Sequence, residues 1–170
     1  MTKRAFNITA NFVPLQFLQD KVPAGETVDL NKTIQTVLKK YTGDQQNSFI
    51  LRCDKLPVAK GKNDQLFRLF DALIQMIVNH PPIKSKLFLY IKCKEENIQS
   101  NVIDLRMTRD VKLFKIDFHT NITTTPDWET FYQIKLKECT LLASQNGGGF
   151  SFYPISNTGC LFSILLPGKI

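Results

Sequence analysis

Apolar residues recur at helical spacing in three stretches of this chain and alternate with polar residues in several shorter ones. In the first helical stretch, Ile34, Val37, Leu38 and Tyr41 form one stripe. Thr27-Val28-Asp29-Leu30 precedes it as a short strand, Asp29 or Asn31 is placed to cap it, and Thr42-Gly43-Asp44 ends it. The second stretch has the broadest apolar face, with Leu66, Phe67, Leu69, Phe70, Leu73, Ile74, Ile77 and Val78 over about four turns. It follows the Lys60-Gly61-Lys62-Asn63-Asp64 loop and stops at Pro81-Pro82, which have no backbone N–H to donate. In the third, Tyr132, Leu136, Cys139 and Leu142 share a stripe in an uninterrupted run from Trp128 to Ser144. Thr125 is its expected cap, with Pro126 in the first turn, and Asn146-Gly147 its end.

The strand-like runs are Ser48–Cys53, a brief extended piece at Leu56-Pro57-Val58, then Leu87–Cys93, Val102–Met107 and Val111–Phe118. Thr108-Arg109-Asp110 is placed to join the last two as a hairpin, and Glu95-Glu96 reads as a charged turn. Two closing strands flank the loop before Gly159 and end at Pro167. The expected order is therefore strand, helix, strand, helix, three strands, helix, two strands. That order predicts an α+β fold, a two-layer sandwich with helices on one face of a mixed, mainly antiparallel sheet. Residues 1–25 form a lead-in in which Phe12, Leu15, Leu18 and Val22 recur at near-helical spacing, and the domain proper runs over 26–170.

Composition changes this picture little. The 170 residues suit one domain with a substantial core, and 43% hydrophobic and 22% charged residues are ordinary for a globular chain. No apolar run reaches the roughly 20 residues of a membrane-spanning helix, and no continuous apolar stretch follows Lys3-Arg4 as a secretory signal would require. Cys53, Cys93, Cys139 and Cys160 lie far apart, with no C-x-x-C pair for zinc or redox chemistry. A reducing, cytoplasmic setting is expected. The net charge of +7 raises nucleic acid as a partner, but the lysines are spread along the chain without an aromatic-interleaved motif. A solvated basic surface is the expectation, and nucleic-acid binding ranks last.

The closing segment carries more information. Gly147-Gly148-Gly149-Phe150-Ser151-Phe152, then Gly159-Cys160-Leu161-Phe162-Ser163-Ile164-Leu165-Leu166-Pro167, resembles the "GG-x-I-x-V" and "G-T-x-F-x-I-x-L-P" signature of histidine-kinase-type ATPase domains, the GHKL or Bergerat fold. Three earlier features line up in order. Val28-Asp29-Leu30 is similar to the family's "V-D-L" entry, and Leu56-Pro57-Val58-Ala59-Lys60-Gly61 with Asp64-Gln65-Leu66 to its "L-P-x-V-x-G-D-x-x-x-L" approach. Leu69 to Ile77 follows its "V-L-x-N-L-L-x-N-A" helix. The resemblance covers about Glu26 to Pro167 and implies the family fold, with lead-in 1–25 as a remnant of a dimerisation helix and a possible homodimer.

The departures fall where the resemblance would place ATP and Mg²⁺. Ala72 and Met76 occupy the two Asn positions of the helix motif, and a thioether offers magnesium no hard oxygen. The adenine motif "D-x-G-x-G-I" superposes on Asp117-Phe118-His119-Thr120-Asn121-Ile122, so His119 and Asn121 replace both glycines. Asp117 could stand for the adenine-reading carboxylate. Strand alternation instead sets it with Lys115 on the face opposite Phe114, Ile116 and Phe118. The leucines of the phosphate lid "G-x-G-L-G-L" map to Ile134 and Leu136, and its glycine positions hold Phe131 or its neighbour, Gln133 and Lys135. The glycines that remain turn the chain; those that would cradle a ligand are replaced.

Of two histidines, His80 reads as a helix-end residue and His119 as following a strand. Neither has the family's "H-E-x-R-x-P" phosphoacceptor context, and no nucleophile–base constellation is evident. The expectation is a degenerate, non-catalytic regulatory module in signal transduction that docks a kinase, a response regulator or another signalling protein and takes no cofactor. The alternative is a divergent histidine or anti-sigma-like kinase domain holding ATP and Mg²⁺ through Asp117, Asn121 and Lys135.

Overall fold

The computed structural model describes residues 26–42, 49–79, 86–96, 112–123, 125–155 and 158–169. The elements run β1 (Thr27–Asp29), α1 (Leu30–Thr42), β2 (Phe49–Cys53), β3 (Val58–Lys60), α2 (Asn63–Val78), β4 (Leu87–Glu96), β5 (Lys112–Thr120), α3 (Pro126–Gln145), β6 (Gly149–Ile155) and β7 (Gly159–Lys169). The strands form one seven-stranded sheet in the order β1-β3-β7-β5-β4-β2, with β6 also paired to β7. Among the described strands, β2 and β4 pair in parallel and the other pairs are antiparallel. This is the α+β sandwich expected.

Local chemistry starts each helix where the sequence places it. The Asp29 carboxylate accepts from the Asn31 backbone N–H at 3.0 Å and opens α1. The Asn31 side-chain amide donates to the same carboxylate at 3.2 Å and, with the backbone bond after it, holds the carboxyl below the usual Asp range. Thr125 Oγ1 accepts from Trp128 N at 3.2 Å and opens α3, with Pro126 in the first turn where a missing N–H costs nothing. The start of α2 differs. Its cap residue, Lys62, makes no side-chain cap bond. Asn146, from the far end of α3, accepts instead from Lys62 N at 2.8 Å. Fully buried, the same amide also donates to Leu142 O at 2.7 Å and Gln65 Oε1 at 3.1 Å. Asn146→Ala therefore strands a helix-end N–H and costs about 1–3 kcal/mol in a denaturant titration. A loss under 0.5 kcal/mol would remove this clamp from the account.

The helices pack on one face of the sheet, where Leu69, Phe70, Leu73, Met76 and Ile77 of α2 meet Leu89, Ile91, Ile116, Phe118, Phe162 and Ile164. The Phe70 and Phe118 rings lie 5.9 Å apart. Trp128 joins Phe152 and Phe162 at 5.3 and 6.2 Å, fastening α3 over β6 and β7. Arg68 of α2 pairs with Glu138 of α3 at 2.7 Å.

Two expectations change. Glu95 and Glu96 are not a turn; they continue β4, where they pair with Phe114 and Leu113 of β5. Lys112 reaches Glu95 at 3.0 Å and Lys94 reaches Glu96 at 2.8 Å, so lysines on the same strands compensate the charges that suggested a turn. His119 lies inside β5 rather than after it, because the strand runs on to Thr120. The expected strand at 102–107, its hairpin at 108–110, His80, Pro81-Pro82 and lead-in 1–25 lie outside the described residues.

Candidate functional site

Within α2, Ala72 and Met76 stand one turn apart, on the stripe that faces the core. Met76 is fully buried and Ala72 almost so, and both belong to the main apolar cluster. The positions where the resemblance expects amide ligands are thus closed by packing. A fully desolvated methionine fills core space and offers no oxygen to a cation.

Asp117 lies on the opposite face of the sheet. Its neighbours Ile116 and Phe118 face the helices, so alternation turns its carboxylate away from them. It accepts from the Ser163 hydroxyl at 2.5 Å, and Lys115 Nζ lies 3.6 Å away. The Asp–Lys neighbourhood read from the sequence is present, but the carboxylate is half-buried through the Ser163 bond. His119 shares this face, its ring 6.3 Å from that of Tyr90. Burial, ahead of the two lysines nearby and against the pull of Asp117, holds its pKa below the ordinary value. A depressed folded-state pKa contributes stability above the unfolded value of roughly 6.5, lost as pH falls through the folded value. His119→Gln is accordingly expected to lose less Tm than the parent between pH 7 and pH 5. An equal loss would dissociate this residue from acid sensitivity.

Asn121 closes the end of β5. Its side chain accepts from Phe88 N at 2.7 Å and donates to Lys86 O at 3.0 Å, which fixes the start of β4. Lys135, half-buried, and Gln133, exposed, stand on α3. Asp117 and Lys135 are therefore on opposite sides of the sheet, and Asp117, Asn121, His119, Gln133 and Lys135 do not converge with Ala72 and Met76 on one cleft.

The stretch matched to the phosphate lid is helix throughout, within α3. Its inner face buries Trp128, Tyr132, Cys139 and Leu142. Its outer face carries Phe131, Ile134 and Leu141, which are 78%, 80% and 56% exposed. Sequence reasoning counted only the inner stripe. The second was readable as apolar residues at 131, 134 and 141, with the Glu138 stem between them at 3-4-3 spacing.

A cavity of about 290 Å³ opens beside β1, α1 and the start of α2, lined by Glu26, Asp29, Lys32, Thr36, Asn63 and Phe67 among others. It shares no residue with the positions above. Burial pushes the Cys139 and Cys160 thiols up to about 12 and Cys93 up to about 11, so none is a thiolate at neutral pH. Among the described residues no three His, Cys, Asp or Glu side chains are grouped to hold a metal, and no helix is long and apolar enough to cross a membrane.

No family model matches the chain, and no curated protein matches it in sequence. Solved structures do match. The mycobacterial sensor histidine kinase MprB superposes with a TM-score of 0.61 at 12% identity, over 85% of this chain and 98% of that one. The chain has the histidine-kinase ATPase fold. The ATP-binding domain of PrrB from Mycobacterium tuberculosis gives a TM-score of 0.57 at 15% identity, over 85% and 98%. The cytoplasmic segment of histidine kinase QseC gives 0.54 at 14%, over 89% and 81%. On this histidine-kinase-type scaffold Gly147, with φ of 73°, turns the chain after α3, and Gly148 and Gly159 of the closing signature lie where backbone approaches closely. A Cβ on Gly148 would lie 1.8 Å from Leu165 O, and one on Gly159, with φ of 148°, 2.0 Å from Thr120 O.

Proposed function

We propose that this chain is a degenerate histidine-kinase-like ATPase domain that has become a non-catalytic, protein-binding module in signal transduction. The observation that carries it is the burial of Ala72 and Met76, which puts methyl and thioether groups in the core where the resemblance expects magnesium-coordinating amides. The residues present do not fit ATP·Mg²⁺. Phosphoryl transfer depends almost wholly on positioning and charge neutralisation, and both need convergent oxygens, backbone N–H groups and cations. Helix α3, in place of a glycine lid, supports the same reading.

The outer stripe of α3 is the surface this reading assigns to a partner. Three large apolar side chains along three turns of one helix are what a helix-in-groove or helix-on-helix contact uses. The partner is then a signalling protein, a kinase or response regulator, that presents a helical or grooved apolar surface. Residues serving such a face rather than the core can be removed cheaply. Phe131→Ser with Ile134→Ser is expected to change folding stability by less than about 0.5 kcal/mol, whereas a loss above 2 kcal/mol would make them structural. Catalysis is tested by incubating the purified protein with millimolar Mg²⁺ and γ-labelled ATP. No phosphate release above buffer and no label on the protein are expected. Turnover that persists through repurification and disappears in Lys135→Ala would overturn the non-catalytic reading.

A further inference from the structure

The sheet face opposite the helices gathers residues that lie far apart in the sequence. Register places Arg52 beside Tyr90, Tyr90 beside His119, His119 beside Leu161 and Leu161 beside Tyr153. Residues paired across a ladder point to the same face, so these five form one row running across β2, β4, β5, β7 and β6. With strands about 4.8 Å apart the row spans roughly 19 Å. Four of its members are planar: one guanidinium, two phenols and an imidazole. Arg52 and Tyr153 are exposed, Tyr90 and His119 half-buried.

Cations flank the row. Lys92 Nζ sits 4.9 Å over the Tyr90 ring, and Lys94 and Lys115 follow along β4 and β5. Two acids on this face meet lysines, Asp117 with Lys115 at 3.6 Å and Glu96 with Lys94 at 2.8 Å. Asp117 also accepts from Ser163, while Asp54, just past the end of β2, accepts from Cys93 N at 3.2 Å. Arg52 and Lys92 make no ion pair among the described residues. The chain as a whole carries +7.

We infer that this face is a binding platform for single-stranded nucleic acid, with bases stacking on Tyr90, His119 and Tyr153 and phosphates meeting Arg52 and Lys92. Flat side chains in a row accept any base by its π-face, and adjacent cations track a backbone, the combination that sheet-based single-strand binders use. An acidic protein would answer the cations but leave the aromatic row without a role. The lysines look scattered in the sequence because each strand contributes one or two; the register collects them. The platform is independent of the apolar stripe on α3, which lies on the other side of the sheet.

The test is fluorescence anisotropy with labelled single-stranded RNA and DNA of about 12 nucleotides, the matching duplex, and polyglutamate as a chain of charge without bases, from 50 to 200 mM KCl. Saturable single-strand binding that exceeds duplex and polyglutamate is expected. Tyr90→Leu keeps a strand-compatible side chain and should weaken binding about tenfold with little change in salt slope. Arg52→Glu, at an exposed site, should weaken it and reduce the slope by about one. Lys39→Glu on α1, away from the platform, should leave affinity within about twofold. Circular dichroism confirms that each variant is folded. No binding at 50 mM KCl, polyglutamate binding as tight as the oligonucleotide, or equal loss in Lys39→Glu and Arg52→Glu would each overturn the assignment. The second of these results would point to an acidic protein partner.

Discussion

Met76→Asn lowers folding stability by about 3–5 kcal/mol and confers no magnesium-dependent nucleotide binding. The substitution places in α2 the Asn that the family resemblance expects there. In a nucleotide cleft an amide at this position would face solvent and a cation. Here Met76 is fully enclosed by the core beneath α2. The shorter side chain leaves a void, and its amide enters an apolar cluster that provides no evident partner. Chemical denaturation measures the loss, with Met76→Leu as the volume-conserving control, expected within about 1.5 kcal/mol of the parent. A Met76→Asn protein as stable as the parent would mean that this position borders a solvated cleft, and the reading of α2 would fail.

Gly148→Ala is expected to cost on the order of 3 kcal/mol or more, or to prevent folding. The added methyl would lie 1.8 Å from Leu165 O and 2.9 Å from Leu165 C, both backbone atoms of a central strand. No side-chain rotation relieves that overlap, so β7 has to shift from α3 and β6 together. Gly149→Ala is the internal control, since its Cβ would meet nothing within 4 Å. Urea titrations of the two variants should differ by more than 2 kcal/mol. Equal stabilities would show that the closing turn relaxes freely and that Gly148 is not kept for close approach.

Much of the fold was legible because its determinants are local. The stripes of α1, α2 and the inner face of α3 follow helical spacing, and Asp29 and Thr125 cap the helices they precede. The closing turn and strands have a recognisable signature. The failures have physical causes too. Glu95 and Glu96 resembled a turn because like charges disfavour a strand, and only the facing β5, with Lys112, and Lys94 within β4 reveal the compensation. The clamp by Asn146 spans 84 positions and leaves no mark in a local pattern.

The candidate site was legible mainly in what the motifs replace. That Ala72 and Met76 carry no ligand oxygen is a sequence fact; that they are sealed in the core is a structural one. Strand alternation correctly set Asp117 opposite Ile116 and Phe118, but its bond to Ser163 depends on the β5–β7 register, which alternation does not specify. The row from Arg52 to Tyr153 was invisible for the same reason, since it is made by five strands contributing one residue each. The outer stripe of α3 was visible and masked by the inner one, because a helix apolar on two sides has no single preferred face.

The central claim is that the nucleotide chemistry of the scaffold is gone while the scaffold remains. Isothermal titration of the purified protein with ATP, with and without millimolar Mg²⁺, alongside a thermal melt at saturating nucleotide, tests it most directly. The account predicts no saturable heat and no rise in Tm. A one-to-one isotherm that magnesium sharpens, with a melt raised by several degrees, would contradict it.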